Sequence, residues 1–137
     1  MDSEFDKKKV YAKYRLDRAK EEYETAEDML RNNHYRAANN RAYYSIFHAI
    51  RSVLAFDGFD SKKHSGIIAY FRKEYIKSGI FPIEMSDIIG TAFEIRNASD
   101  YDDMYIATKS EAEEQIERAK IFYVQIAEYV EKKLGEA

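Results

Sequence analysis

The chain has no cysteine and no tryptophan, a single proline and only five glycines in 137 residues. Without cysteine there is no disulfide framework, no thiolate metal ligand and no cysteine nucleophile, which fits a reducing interior. With so few prolines and glycines to interrupt them, helices can run long, and a fold of many short strands is disfavoured. No apolar run approaches the roughly 18 residues that a membrane span needs. The opening segment, Met1-Asp-Ser-Glu-Phe-Asp-Lys-Lys-Lys9, has no apolar core of the kind found in a signal peptide. A cytoplasmic protein is expected. A basic surplus is missing too: 22 Lys and Arg against 25 Asp and Glu leave a net charge of −3. The global positive charge that drives non-specific nucleic-acid binding is therefore absent, and any RNA contact must rest on a local patch. There is no Gly-rich phosphate loop, no Gly-x-Ser-x-Gly elbow and no His-Glu-x-x-His pair. His34, His48 and His64 are scattered, so neither a metal nor another cofactor is expected.

What is present in quantity is tyrosine, twelve residues, beside eight phenylalanines. Tyrosine gives apolar bulk with a polar tip, which suits half-buried seams and protein–protein surfaces. With 45% hydrophobic and 34% charged residues the composition is that of an ordered globular protein. The length predicts one domain, residues 1–137.

Hydrophobic periodicity predicts a helix from about Asp6 to Asn32, with Leu16, Ala19, Tyr23, Ala26 and Leu30 on one stripe. Asn32-Asn33-His34 breaks it. A second helix is predicted from about Tyr35 to Ala55, its inward face being Tyr43, Ile46, Phe47, Ile50, Val53 and Leu54. Gly58 turns the following loop, and Ser61 is placed to cap a third helix over about Lys62–Lys77. Ser78-Gly79 stops that helix. A fourth is expected from about Met85 to Ala98, with an irregular connector after it, because Asn97, Ser99, Asp100, Asp102 and Asp103 compete for backbone hydrogen bonds. Thr108-Lys-Ser-Glu111 and Ser110-Glu-Ala-Glu113 are alternative capping boxes for a last helix. Its stripe is Ala112, Ile116, Ala119, Tyr123, Ile126, Val130 and Leu134. The fold class is all-α, an up-and-down bundle of four to five helices.

Two segments carry the chemistry. On the second helix, Arg41, Tyr44, His48 and Arg51 share a face nearly opposite the apolar one, given about 100° per residue. A solvated helix face is one reading of this stripe. The other is an interface or an anion-binding surface, since guanidiniums grip phosphate in bidentate fashion beside an imidazole able to carry a proton. In the fourth helix, Arg96 precedes Asn97, Asp100 and Tyr101. An Arg96–Asp100 pair closing the helix, with Tyr101 packed inward, is the structural reading. The functional one has Arg96 opposite a phosphate, with Asn97 and Tyr101 bonding alongside.

Asn40-Arg-Ala-Tyr-Tyr-Ser-Ile-Phe-His-Ala-Ile-Arg51 and Arg96-Asn-Ala-Ser-Asp-Tyr-Asp102 together resemble the HEPN family, small all-helical proteins of toxin–antitoxin, nucleotidyltransferase-linked and RNA-processing systems. The resemblance implies a homodimer and, in ribonuclease members, metal-independent RNA cleavage by an arginine followed four to six residues later by a histidine. Here no histidine follows Arg96, and Tyr101 stands in that window. Tyrosine, with a free pKa near 10, is a poor base at neutral pH. The expected function is therefore an accessory or toxin–antitoxin-type protein that binds nucleotide, RNA or a small nucleotidyltransferase partner. Its site would be Arg96, Asn97, Asp100 and Tyr101, bordered by Arg41, Tyr44, His48 and Arg51. The rival expectation is a divergent ribonuclease toxin using Arg96 with Tyr101 or His48. A purely structural dimeric scaffold is the third.

Overall fold

In the computed structural model, which describes residues 3–136, five helices and one π-helical turn follow one another: α1 Glu4–Arg31, α2 Tyr35–Ala55, α3 His64–Phe71, the π turn Arg72–Ile76, α4 Glu84–Tyr101 and α5 Lys109–Leu134. Met1, Asp2 and Ala137, part of the predicted 1–137 domain, lie outside the described residues.

The hairpin of α1 and α2 is built on small residues. Ala12, Ala19 and Ala26 recur every seventh position of α1 and are fully buried, as are Ala38, Ser45 and Ser52 on α2. Side chains this short let the two backbones approach until serine hydroxyls reach across. Ser45 Oγ donates to the Ala19 carbonyl at 2.8 Å and Ser52 Oγ to the Ala12 carbonyl at 2.6 Å. Both buried hydroxyls are thereby satisfied, and the pair is locked in antiparallel register. That register decides what else meets along the seam, including every charged contact described below.

α2 is the central helix, packed against α1, α5, α4 and α3. All six residues of its predicted apolar face are buried. A second concentration of apolar side chains lies where α3 and the π turn meet α5. There the ring of Phe71 packs near Phe81 and Phe122, and Tyr129 meets both Tyr75 and Phe81 edge-on.

The helix boundaries are close to those expected, and each departure has a local cause. α1 begins at Glu4 because Ser3 and Asp6 form a capping box. The third helix is shorter than the predicted 62–77: its N-cap is Lys63, without side-chain capping, and Ser61 Oγ instead accepts from the Lys63 N–H at 3.3 Å. From Arg72 onward the chain widens into a π turn, closed by the Lys77 N–H on the Arg72 carbonyl at 2.8 Å. α4 runs on to Tyr101, through residues expected to break it, since Arg96 and Asp100 pair along the helix and Ser99 is buried. At α5 the cap is Thr108, whose Oγ1 accepts from the Glu111 N–H at 3.1 Å. The Glu111 carboxylate is occupied elsewhere, by Asn39 and by the hydroxyl of Tyr105. Those bonds fasten the α4–α5 connector to α2. None of the described helices is long and apolar enough to cross a membrane.

Candidate functional site

The antiparallel seam places the polar stripe of α2 against a matching stripe of α1. Arg41 meets Glu22, whose Oε2 accepts from Nη1 at 2.8 Å, and Arg18 bonds the other carboxylate oxygen at 3.2 Å. One turn pair further along, Arg15 Nη1 lies 2.9 Å from His48 Nδ1. A guanidinium can only donate, so Nδ1 is the acceptor and the ring proton sits on Nε2. At the far end Arg51 donates to Asp60 at 2.7 Å and to the Tyr11 hydroxyl at 3.4 Å. The stripe is thus half-buried rather than solvated, because α1 supplies charged partners for it. Burial and four surrounding arginines, Arg15, Arg18, Arg51 and Arg41, lower the His48 pKa to about 4. His48 is neutral at physiological pH and committed to Arg15, which makes it a poor proton donor.

Arg96 reaches the same helix from the other side. Its guanidinium carbon is 5.1 Å from the centroid of the Tyr43 ring and 5.5 Å from that of Tyr44, within cation–π range. Arg41 approaches Tyr44 in the same manner at 5.0 Å, so both arginines reach the one phenol ring. Only one carboxylate pairs with Arg96, Asp100 at 3.5 Å, the helical pair expected from the sequence.

A histidine does join this cluster, though it comes from α3. His64 shares a 2.8 Å hydrogen bond between its Nδ1 and the Tyr43 hydroxyl, and its ring stacks on Phe47 with centroids 4.0 Å apart. Burial first, and then the charges of Arg96 and Arg51, hold its pKa below the ordinary histidine value. Tyr43 itself is pushed up to about 12, chiefly by burial, so its phenol stays protonated. Arg96, Tyr43 and His64 therefore converge from three separate elements: a guanidinium, a neutral phenol and a neutral imidazole. Such a set can bind a phosphate oxyanion and hold or pass a proton beside it.

Of the residues selected from the sequence, Arg96, Asp100, Tyr44 and Arg41 are brought together here. Arg51 lies at the edge, 5.8 Å from the Phe47 ring. His48 faces α1 and contributes no contact to Arg96. Asn97 is half-buried and makes no side-chain hydrogen bond among the described residues, while Tyr101 is 83% exposed, not packed inward as the structural reading of this motif required. Sequence reasoning missed His64 and assigned Tyr43 to the core alone. It also missed Arg15 and Glu22, whose seven-residue spacing on α1 repeats that of Arg41 and His48 on α2.

The model of the HEPN domain family matches residues 12–129. The chain belongs to the HEPN family. That span takes in both arginine-bearing segments and all of the seam just described. Among relatives, this HEPN protein is 30% identical over 115 residues to a candidate toxin of Methanocaldococcus jannaschii, covering 84% of this chain and 78% of the relative. A second candidate toxin of the same organism is 32% identical over 108 residues, with 79% and 80% covered. A UPF0332 protein of Thermotoga maritima is 29% identical over 126 residues, covering 92% of this chain and 95% of the relative. Among the described residues no group of three or more His, Cys, Asp or Glu is arranged to hold a metal ion.

Proposed function

We propose that this HEPN protein is a component of a toxin–antitoxin-type system and that the cluster around Arg96 binds the phosphate groups of RNA or nucleotide. The observation that carries this reading is Arg96 lying over Tyr43 and Tyr44, with Arg41 on Tyr44 and His64 bonded to Tyr43. It concentrates cationic and aromatic groups in a chain whose overall charge is −3. Guanidiniums engage phosphate oxygens in bidentate fashion, and phenol rings offer a face to an unpaired base. The names of two relatives, both candidate toxins, supply the biological context. In this reading the protein works in the cytoplasm as a homodimer beside a small nucleotidyltransferase partner. Asn97 and Tyr101 border the bound ligand.

Binding of a labelled single-stranded oligoribonucleotide, measured over a salt series, tests the site. Arg96→Ala should weaken binding at least about tenfold, the loss expected for a charge-assisted contact. It should also flatten the logarithmic salt dependence by about 0.7, the share of one phosphate contact on a single strand. Unchanged affinity and slope would reject the assignment.

A second reading is favoured by His64 alone. With an imidazole in contact with Tyr43 and Arg96 beside it, the cluster holds the arginine–histidine pair that the fourth helix lacks. In this reading the protein is a divergent ribonuclease with His64 in the proton-transfer role once considered for His48 or Tyr101. RNA degradation in the presence of a chelator, abolished by His64→Gln and by Arg96→Ala but not by His48→Gln, would select it. Intact RNA after prolonged incubation with the unsubstituted protein would reject it.

A further inference from the structure

Next to the Arg96 cluster, and sharing His64 with it, is an open depression of about 500 Å³ lined by Arg51, Asp60, Ser61, Lys62 and His64. We propose that this depression binds a phosphomonoester, the phosphate of a nucleoside monophosphate or of a phosphorylated RNA end, so that the protein recognises RNA termini. The inference rests on the RNA or nucleotide reading above and adds to it which phosphate is recognised.

Four donors face the depression: the Arg51 guanidinium, the Lys62 ammonium, the Ser61 hydroxyl and the imidazole of His64. When the Tyr43 hydroxyl donates to His64 Nδ1, the ring proton resides on Nε2, the nitrogen left for a ligand. A phosphodiester offers two free oxygens and one negative charge. A phosphomonoester offers three oxygens and close to two charges at neutral pH, which matches a set of four donors better. The depression also has room for the sugar that carries the phosphate.

The local charges define how the pocket would respond. Arg51 is held at 2.7 Å by Asp60, and Asp60 Oδ1 also accepts from the Ser61 N–H at 2.8 Å. Asp60 is exposed and therefore displaceable, so an incoming phosphate competes with it for the guanidinium. Arg51 and Arg96 together depress the His64 pKa. An anion seated between Arg51 and His64 opposes that effect, and its arrival should shift the imidazole back toward protonation.

The test compares one oligoribonucleotide with a 5′-phosphate and with a 5′-hydroxyl end, alongside AMP and adenosine, by titration calorimetry. The phosphorylated end should bind at least about tenfold more tightly. That ratio should fall toward one in Arg51→Ala and in His64→Gln, and rise several-fold in Asp60→Asn. A tenfold AMP preference without one for the phosphorylated RNA would identify the free nucleotide as the source of the phosphate. Arg96→Ala should weaken both RNA forms alike and keep the ratio. Equal, tight binding of both RNA ends, with AMP no tighter than adenosine, overturns the pocket and leaves the Arg96 reading standing. Absence of binding by any of the four ligands overturns both. Should Arg51→Ala fail to fold, His64→Gln and Asp60→Asn still decide, since their expected changes have opposite sign.

Discussion

His64 of α3 and Tyr43 of α2, 21 positions apart in sequence, are joined by a 2.8 Å hydrogen bond. The phenol lies in the core and the imidazole at its edge, so this bond fixes the direction of a side chain that otherwise has only the ring of Phe47 to rest on. Tyr43→Phe keeps the ring packing and removes the bond. Chemical denaturation should show a loss of about 1 kcal/mol, the net value of one such bond. The more telling result is functional: RNA binding should fall by a similar factor to that of His64→Gln. Wild-type affinity in Tyr43→Phe would show that the bond does not position the imidazole.

Glu22 predicts effects of opposite sign. Its carboxylate is 7% exposed and serves Arg18 and Arg41 at once. Glu22→Gln leaves two guanidiniums with weaker partners and should cost about 1–3 kcal/mol, less than a fully buried pair because both arginines are partly solvated. The same change removes a negative charge beside the proposed phosphate surface. Affinity for single-stranded RNA should therefore rise while the urea midpoint falls. A parallel fall in both would indicate a purely structural role for the pair.

The pH dependence follows from His48. Its pKa is about 4 in the folded protein and near 6.5 when exposed, so between those values the unfolded chain binds the extra proton. Stability from this group is complete above about pH 6.5 and is lost progressively as the pH falls toward 4. Thermal unfolding at intervals between pH 7 and 4 should show the decline, and His48→Gln should make it shallower. An NMR titration provides the site-resolved check, with His48 titrating well below His64.

Tyr101 separates fold from function. Being 83% exposed at the end of α4, it contributes little to packing, and Tyr101→Ala should change stability by no more than about 0.5 kcal/mol. Any effect on binding RNA or a protein partner would then belong to the interaction itself. A melting temperature lowered by several degrees would contradict the exposed placement.

The bundle was legible because its signals are long-wavelength and redundant. Six apolar residues of α2 and the alanine-rich stripe of α1 each repeat a helical period over several turns, and no single exception disturbs them. The site was legible only within helices. Arg96 with Asp100, and Arg41 with Tyr44, are neighbours along one helix, so spacing reveals them. His64 could not be found that way, since it meets Tyr43 through the path of the 56–63 loop, which periodicity does not describe. His48 was misjudged for a related reason. Its angle on α2 is as expected, but Arg15 on another helix decides whether that face is wet. A cue was available in the alanines of α1 and the serines of α2. Their seven-residue repeats specify which turns oppose each other, and with that register Arg15–His48 and Glu22–Arg41 follow.

The π turn at Arg72–Ile76 makes this part of the chain sensitive to length more than to residue identity. One residue beyond an α-helical turn is accommodated there, and it brings Tyr75 to Asp57 at 2.7 Å while Arg72 bonds the side chain and carbonyl of Ser86. Deleting any one residue from the turn would restore ordinary helical geometry and swing all that follows by about 100°. Tyr75 would leave both Asp57 and Tyr129 even though every side chain in the contact had been retained. Insertions and deletions here, which a comparison of residue types treats as silent, would thus rewire the contacts between the third helix, the loop before it and the last helix.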